Sequence, residues 1–422
     1  MARIAFAWEL GGEFGHAMAC SALARMLQAR GHEIAFLFRE LHQLSFLADT
    51  SDYAVFQAPV SVREGHRVAI PASFAEILVG CGYDSGRHLA GLLGGWLSLF
   101  DRWNPDIVLS DFSPTALLAA RLRGLRRVSY GNGFAVPPRL SPLPAFRFDE
   151  PIDPARVVQS DARALGSAND ALARFGGAPM RHLAQQFETD DDFLATFPEL
   201  DSYGNRPAAG YWGPRFSVDA GVSVHWPAGN GKRVLVYLKR QLPALDALIA
   251  ALARSPHRVA AFIPELEPAR AARLAGPGRI VSEQPMRLAP LLPECDLFVS
   301  QAGNVAVGTL MSGVPQLVFP SQYEQYLTGR RLEQIGAGVM VPPDAPPAEV
   351  SAGLERALSD PRVAAAAKAY AKRYPQYSAT EQQRRIVVRI EEILAQPSRW
   401  DALPASGAAP ILTPTQGSGE KQ

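Results

Sequence analysis

The first 38 residues most narrow what this chain can fold into. Arg3 to Trp8 is an apolar strand, Gly11-Gly12-Glu13-Phe14-Gly15 is a flexible turn, and His16 to Arg30 carries Ala17, Cys20, Leu23, Ala24 and Leu27 on one helical face. Gly31 stops that helix and Glu33 to Phe38 is a second apolar strand. A strand, a glycine turn, a helix and another strand in so short a stretch are the signature of a βαβ unit, so a parallel, doubly wound α/β sheet is expected.

The pattern continues and then restarts. Pro105 to Asp111 is a strand ending in an acid, Thr115 to Arg123 a helix, and Arg127 to Tyr130 a strand. From Gly131 to Asn205 the periodicity fades into long loops and irregular helices, without sheet core. Strands return at Lys232–Leu238, Arg258–Ile263, Gly278–Val281, Asp296–Val299 and Gln316–Phe319, with helices at Pro243–Ala253, Met286–Leu292 and Asn304–Met311. Two such runs predict two Rossmann-like domains facing across a cleft: 1–214, and 215–379, with a final helix over 380–396 returning to the first domain. Residues 397–422, rich in Pro, Gly, Ala and Ser, read as a loose tail.

Composition removes several functions. Lys plus Arg total 42 against 41 Asp plus Glu, which leaves no basic excess for nucleic acid. Three scattered cysteines form no Cys-x-x-Cys pair, and the eight histidines never fall three to five apart, so no metal site is predicted. The most apolar run, His88 to Phe100, is shorter than the ~20 residues that span a bilayer. Its stripe Leu89, Leu92, Leu93, Trp96, Leu97 and Phe100 reads as core, with an acceptor-pocket lining as the other reading. A cytoplasmic protein without integral membrane association is expected; its oligomeric state is left open.

The segment Asp296 to Gly338, DLFVSQAGNVAVGTLMSGVPQLVFPSQYEQYLTGRRLEQIGAG, resembles the donor-binding signature of the GT-B glycosyltransferases, the UDP-glycosyltransferase-like and macrolide-glycosyltransferase-like group. Gly303, Gly313-Val314-Pro315, Pro320, Glu324-Gln325 and Gly336 match it, and GGEFGH with ARGHE resembles the family's opening loop and first helix. Pro105-Asp106 to Asp111 resembles its acid-ending strand, and Gly213-Pro214 its run into the second domain. Four positions depart: Gln301 stands for the phosphate-binding histidine, Ala306 for a hydroxyl residue, Thr309 for a helix glutamate, and Lys239-Arg240 for a Gly-Ser turn.

The resemblance implies an inverting, metal-independent transferase. It would move a sugar from a nucleoside-diphosphate sugar (UDP or TDP) to the hydroxyl of a small or lipid-like acceptor, with no further cofactor. His16 would be the base and Asp111 would hold its tautomer; read without the family, they are a helix-start residue and a cap on the Ser113 turn. Donor contacts would come from Gly12, Gln284, Met286, Gln301, Gly303, Asn304, Glu324 and Gln325. Lys239 or Arg240 either supplies the missing phosphate charge or forms an exposed turn. Three other functions compete: a non-catalytic sugar-nucleotide binder, a sugar-nucleotide epimerase of the same fold, and an NAD-dependent oxidoreductase, for which Gly11-Gly12-x-x-Gly15 and Glu40 are the weak signals.

Overall fold

The computed structural model describes residues 1–400 except 13, 47–51, 63–67, 69, 147–150, 205, 207–209 and 217–220. Among them lie two six-stranded, all-parallel sheets. The first contains β1 (Arg3–Trp8), β2 (Glu33–Phe38), β3 (Ala54–Gln57), β4 (Ile107–Asp111), β5 (Arg126–Gly131) and β6 (Asp191–Leu194), in the order β3-β2-β1-β4-β5-β6. The second contains β7 (Arg233–Tyr237), β8 (Arg258–Phe262), β9 (Arg279–Ser282), β10 (Leu297–Ser300), β11 (Gln316–Val318) and β12 (Gly338–Met340), in the order β12-β11-β10-β7-β8-β9. Counted from its own first strand, each sheet reads 3-2-1-4-5-6, the doubly wound order whose ligand crevice opens beside strand 1, between strands 1 and 4.

The strands are apolar on both faces because helices cover both, as parallel sheets require. Along β1, Ile4, Phe6 and Trp8 pack towards the helix Phe14–Gln28, while Ala5 and Ala7 face the helices Gly86–Trp103, Pro114–Leu122 and Pro154–Arg174. The stripe from Leu89 to Phe100 is buried in that second layer and is core. The helix Ala379–Ala395, the last described, lays Ile386, Val387, Ile390 and Ile393 against the first sheet's core beside Phe14–Gln28. Its Arg389 Nε binds Asp191 Oδ2 on β6 at 2.7 Å.

Three expectations are corrected. The stretch after Gly131 holds a 21-residue amphipathic helix, Pro154–Arg174, and an edge strand, β6, paired in parallel with β5. The acid run Asp190-Asp191-Asp192 hides that strand, since only Phe193 and Leu194 are buried. Met286–Leu292 is not a helix: Met286 forms a bridge with Val222, and only the 3₁₀ turn Leu292–Glu294 follows. Its apolar residues fill a core pocket without helical spacing. The start of the expected tail is packed, because the Trp400 ring covers the Arg127 guanidinium at 3.6 Å and its Nε1 donates to Asp190; the rest of that expected tail, residues 401–422, lies outside the described residues.

Candidate functional site

The register of the first sheet brings the first two site residues together. Trp8 at the end of β1 pairs with Asp111 at the end of β4, so whatever follows β1 sits over the Asp111 carboxylate. The chain leaves β1, turns at Gly11 with φ +76°, and enters the helix carrying His16. A side chain at Gly11 would be strained, and its Cβ would come 3.0 Å from His16 Nε2. The imidazole is stacked on Trp8, with ring centroids 5.1 Å apart and planes 19° from parallel. Its Nδ1–H donates to Asp111 Oδ2 at 3.0 Å. That hydrogen bond sets the tautomer and leaves the Nε2 lone pair as the basic atom.

Asp111 has no solvent exposure. Burial opposes its ionisation, yet the Arg215 guanidinium and the His16 imidazole outweigh burial and hold its pKa at about 2. Arg215 Nη2 donates to Asp111 Oδ1 at 2.8 Å, and Cys20 Sγ lies 3.5 Å from Oδ2. Both carboxylate oxygens are therefore engaged. The next residue, Phe112, has φ +50°, a left-handed backbone that a bulky side chain adopts only under constraint. Its carbonyl accepts the Leu10 N–H at 2.9 Å, and its ring flanks His16. The strained turn keeps the acid and the aromatic wall in place together.

A solvent-connected cavity lies between the two sheets. From the first domain it is lined by Gly12, His16, Phe112, Asn132 and Thr196, and from the second by Gly303, Asn304, Gln322, Glu324, Gln325 and Thr328. The helix Asn304–Met311 starts at the cavity, so its first free N–H groups and positive dipole end face into it. Ala302, in the turn before that helix, has φ +60°, a position that glycine would occupy without strain. Glu324 and Asn132 bridge the two domains, Nδ2 donating to Oε1 at 2.5 Å.

Of the residues singled out in the sequence, His16, Gly12, Gly303, Asn304, Glu324 and Gln325 line this one cavity, with Asp111 directly behind His16. Gln301 does not line it: its Nε2 donates to Ser321 Oγ at 2.7 Å and its Oε1 accepts the Lys239 N–H at 3.2 Å. Gln325 Oε1 likewise accepts the Ser321 N–H at 2.9 Å, so two glutamines shape the loop before the helix Tyr323–Ile335. Lys239 and Arg240 are also absent from the lining, and Arg240 is turned to Glu265 at 3.2 Å and Glu267 at 3.7 Å. Gln284 is exposed, and Met286 is buried, its backbone clamped at both N–H and C=O by the Tyr237 hydroxyl at 2.6 and 2.8 Å.

Sequence reasoning missed Arg215 and Asn132. Arg215 directly follows the recognised Gly213-Pro214 pair, but a single cation in a linker carries no periodic signal. Among the described residues, no group of three or more His, Cys, Asp or Glu side chains is arranged to hold a metal ion, and no helix is long and apolar enough to cross a membrane.

Comparison with known proteins bears on the fold. Residues 246–390 match the family described as erythromycin biosynthesis protein CIII-like, C-terminal domain. A 67-residue stretch is 36% identical to the NDP-glycosyltransferase YjiC of Bacillus subtilis (strain 168), spanning 16% of this chain and 17% of that protein. Among solved structures, the glycosyltransferase SsfS6 of Streptomyces sp. SF2575, complexed with thymidine diphosphate, superposes with TM-score 0.61 at 21% identity, covering 93% of this chain and all of that one. The glycosyltransferase VinC in complex with dTDP gives 0.63 at 18% identity over 92% of this chain and 99% of that one. The chain has the two-domain GT-B fold, and the family match falls within its second domain and the final helix.

Proposed function

We propose that this protein is an inverting glycosyltransferase that moves a sugar from a nucleoside-diphosphate sugar to an acceptor hydroxyl. The observation that carries the reading is one contact: the 3.0 Å bond from His16 Nδ1 to buried, ionised Asp111, with His16 itself lining the interdomain cavity.

The chemistry follows from where charge must move. A hydroxyl does not ionise near neutral pH, so its proton must leave as the new bond forms; a placed base is worth about 10²–10⁴-fold. His16 Nε2 takes that proton, and the Asp111 carboxylate stabilises the imidazolium that results. The acceptor oxygen attacks the anomeric carbon on the face opposite the departing diphosphate, so the configuration inverts. Negative charge grows on the leaving phosphate oxygen, and the N-terminus of Asn304–Met311 offers free N–H groups and a positive dipole end to it. Glu324 and Asn132, one from each domain and bonded to each other, line the cavity where a carboxylate and an amide can hydrogen-bond sugar hydroxyls. In this scheme the 1–214 domain receives the acceptor and the 215–379 domain the donor. The thymidine diphosphate bound in SsfS6 and VinC makes a TDP-sugar the first donor to try, with a UDP-sugar second.

The test is direct. The purified protein is incubated with TDP- and UDP-glucose and a panel of phenolic and alcoholic acceptors, and products are read by mass and by anomeric configuration. A hexose adduct of inverted configuration is expected. Tight nucleotide-sugar binding with no transfer to any acceptor, or a product of retained configuration, would overturn the proposal.

A further inference from the structure

We infer that Arg215, carried on the linker between the two domains, is a positioning residue for the base His16, and that it ties the charge state of the site to the seating of that linker. The inference rests on the transferase reading for its consequence in catalysis, but its geometry stands apart from that reading.

Arg215 reaches across from the linker into the end of the first sheet. The residue is 5% exposed. Nη2 donates to Asp111 Oδ1 at 2.8 Å, Nη1 donates to the Tyr130 carbonyl at 3.2 Å, and the group lies over the Tyr130 ring at 4.8 Å. The same Nη2 is 3.4 Å from His16 Nδ1. Both atoms are donors, so this approach is not a hydrogen bond; it places a permanent positive charge beside the imidazole, and both cations share one carboxylate. With His16 neutral the three side chains sum to zero charge, and with His16 protonated to +1. Without Arg215 the same two states would be −1 and 0, and an imidazolium would be favoured. Arg215 therefore sets a fixed positive charge beside the base, while the Asp111 bond keeps it oriented.

The linker that carries Arg215 is gripped from the far end of the chain. Gln382 Nε2 donates to the Gly213 carbonyl, and the Tyr377 hydroxyl donates to the Pro214 carbonyl. Gly213 has φ +84°, and a Cβ there would fall 2.3 Å from the Tyr377 ring, so the ring packs on bare backbone. The helix that returns from the second domain thus seats the arginine that completes the dyad. Among the described residues, the titratable groups facing His16 are Asp111 on β4 and Arg215 on the linker, with Cys20 on its own helix against Asp111, Tyr130 on β5 beneath Arg215, and Glu324 across the cavity.

The test is an NMR titration of the His16 ring signals, assigned with His16→Ala, in the full chain and in Arg215→Met, Arg215→Gln and Arg215→Lys. The midpoint should rise by about one pH unit or more in the Met and Gln variants, as expected when a cation within ~4 Å is removed. It should return to within a few tenths of the wild-type value in the Lys variant. In sugar transfer, turnover of the Gln variant should fall about tenfold or more at neutral pH and recover as pH rises, with donor KM changed less than twofold. An unchanged His16 midpoint in both neutral variants would overturn the inference; if only one of them folds, that one decides. Failure to find sugar transfer in the wild-type chain would defeat the functional reading, and the titration would still decide the role of Arg215.

Discussion

Glu9 gives a sharp test of the electrostatics around the site. It follows β1, is 2% exposed, and aims its carboxyl at the start of the helix Pro114–Leu122, where Oε2 accepts the Thr115 N–H at 2.8 Å and lies 3.5 Å from Ser113 Oγ. Those hydrogen bonds favour the anion, but burial outweighs them and pushes its pKa up from 4.5 to about 7. The sign of the pH effect follows. Below pH 4.5 both folded and unfolded chains hold the proton, and nothing is lost. Between 4.5 and about 7 the unfolded chain releases it while the fold retains it, so stability falls as pH rises; above 7 the full cost remains. At about 1.36 kcal/mol per pH unit, the displacement from 4.5 to about 7 corresponds to about 3 kcal/mol. Glu9→Gln is neutral at every pH and keeps an oxygen for Thr115. Thermal unfolding measured from pH 4.5 to 8.5 should show wild type and variant together at the acid end. The variant should stand above wild type by about 6–12 °C at the alkaline end, for a domain of this size. Parallel curves across the whole range would refute the reasoning.

Three further outcomes follow. Gly11→Ala forces a side chain into a left-handed turn against His16 Nε2; it should lower stability by about 1–2 kcal/mol and turnover at least tenfold, read by unfolding midpoint and steady-state rate. Asp111→Ala strands Arg215 as a buried unpaired cation and should cost about 3–5 kcal/mol, with Arg215→Met in the same chain recovering part of it; wild type should lose the Asp111 contribution only as pH falls from about 4 towards 2, which urea midpoints would show. Arg240→Met should leave TDP-sugar affinity within about twofold by calorimetry, because that guanidinium is turned to Glu265 and Glu267.

How much of this was legible in the sequence depends on how each feature is encoded. The central strands β1, β2, β4, β7 and β10 are apolar on both faces and flanked by glycine or acid turns, so their places could be read closely. The edge strand β6 could not, because it buries only half its length and begins in acids. His16 and Asp111 were legible because a doubly wound order puts the ends of strands 1 and 4 side by side, and both residues sit there. The two readings of Lys239-Arg240 could not be separated in the sequence for a physical reason. A lysine and an arginine after β7 stand where a phosphate site would want them, but the direction of Arg240 is set by Glu265 and Glu267, which lie beyond any local pattern. Arg215 was hidden for the opposite reason: its partners, Asp111 and Tyr130, are 104 and 85 residues away.

The central claim is that His16 removes the acceptor proton while the rest of the cleft binds the donor. The measurement that tests it most directly is single-turnover sugar transfer by His16→Ala beside wild type, with TDP-sugar held saturating and its affinity measured on the same samples. The account predicts a loss of about 10²-fold or more in the transfer step with donor affinity within about twofold, because a base acts in the transition state. Transfer at the wild-type rate by His16→Ala would contradict it.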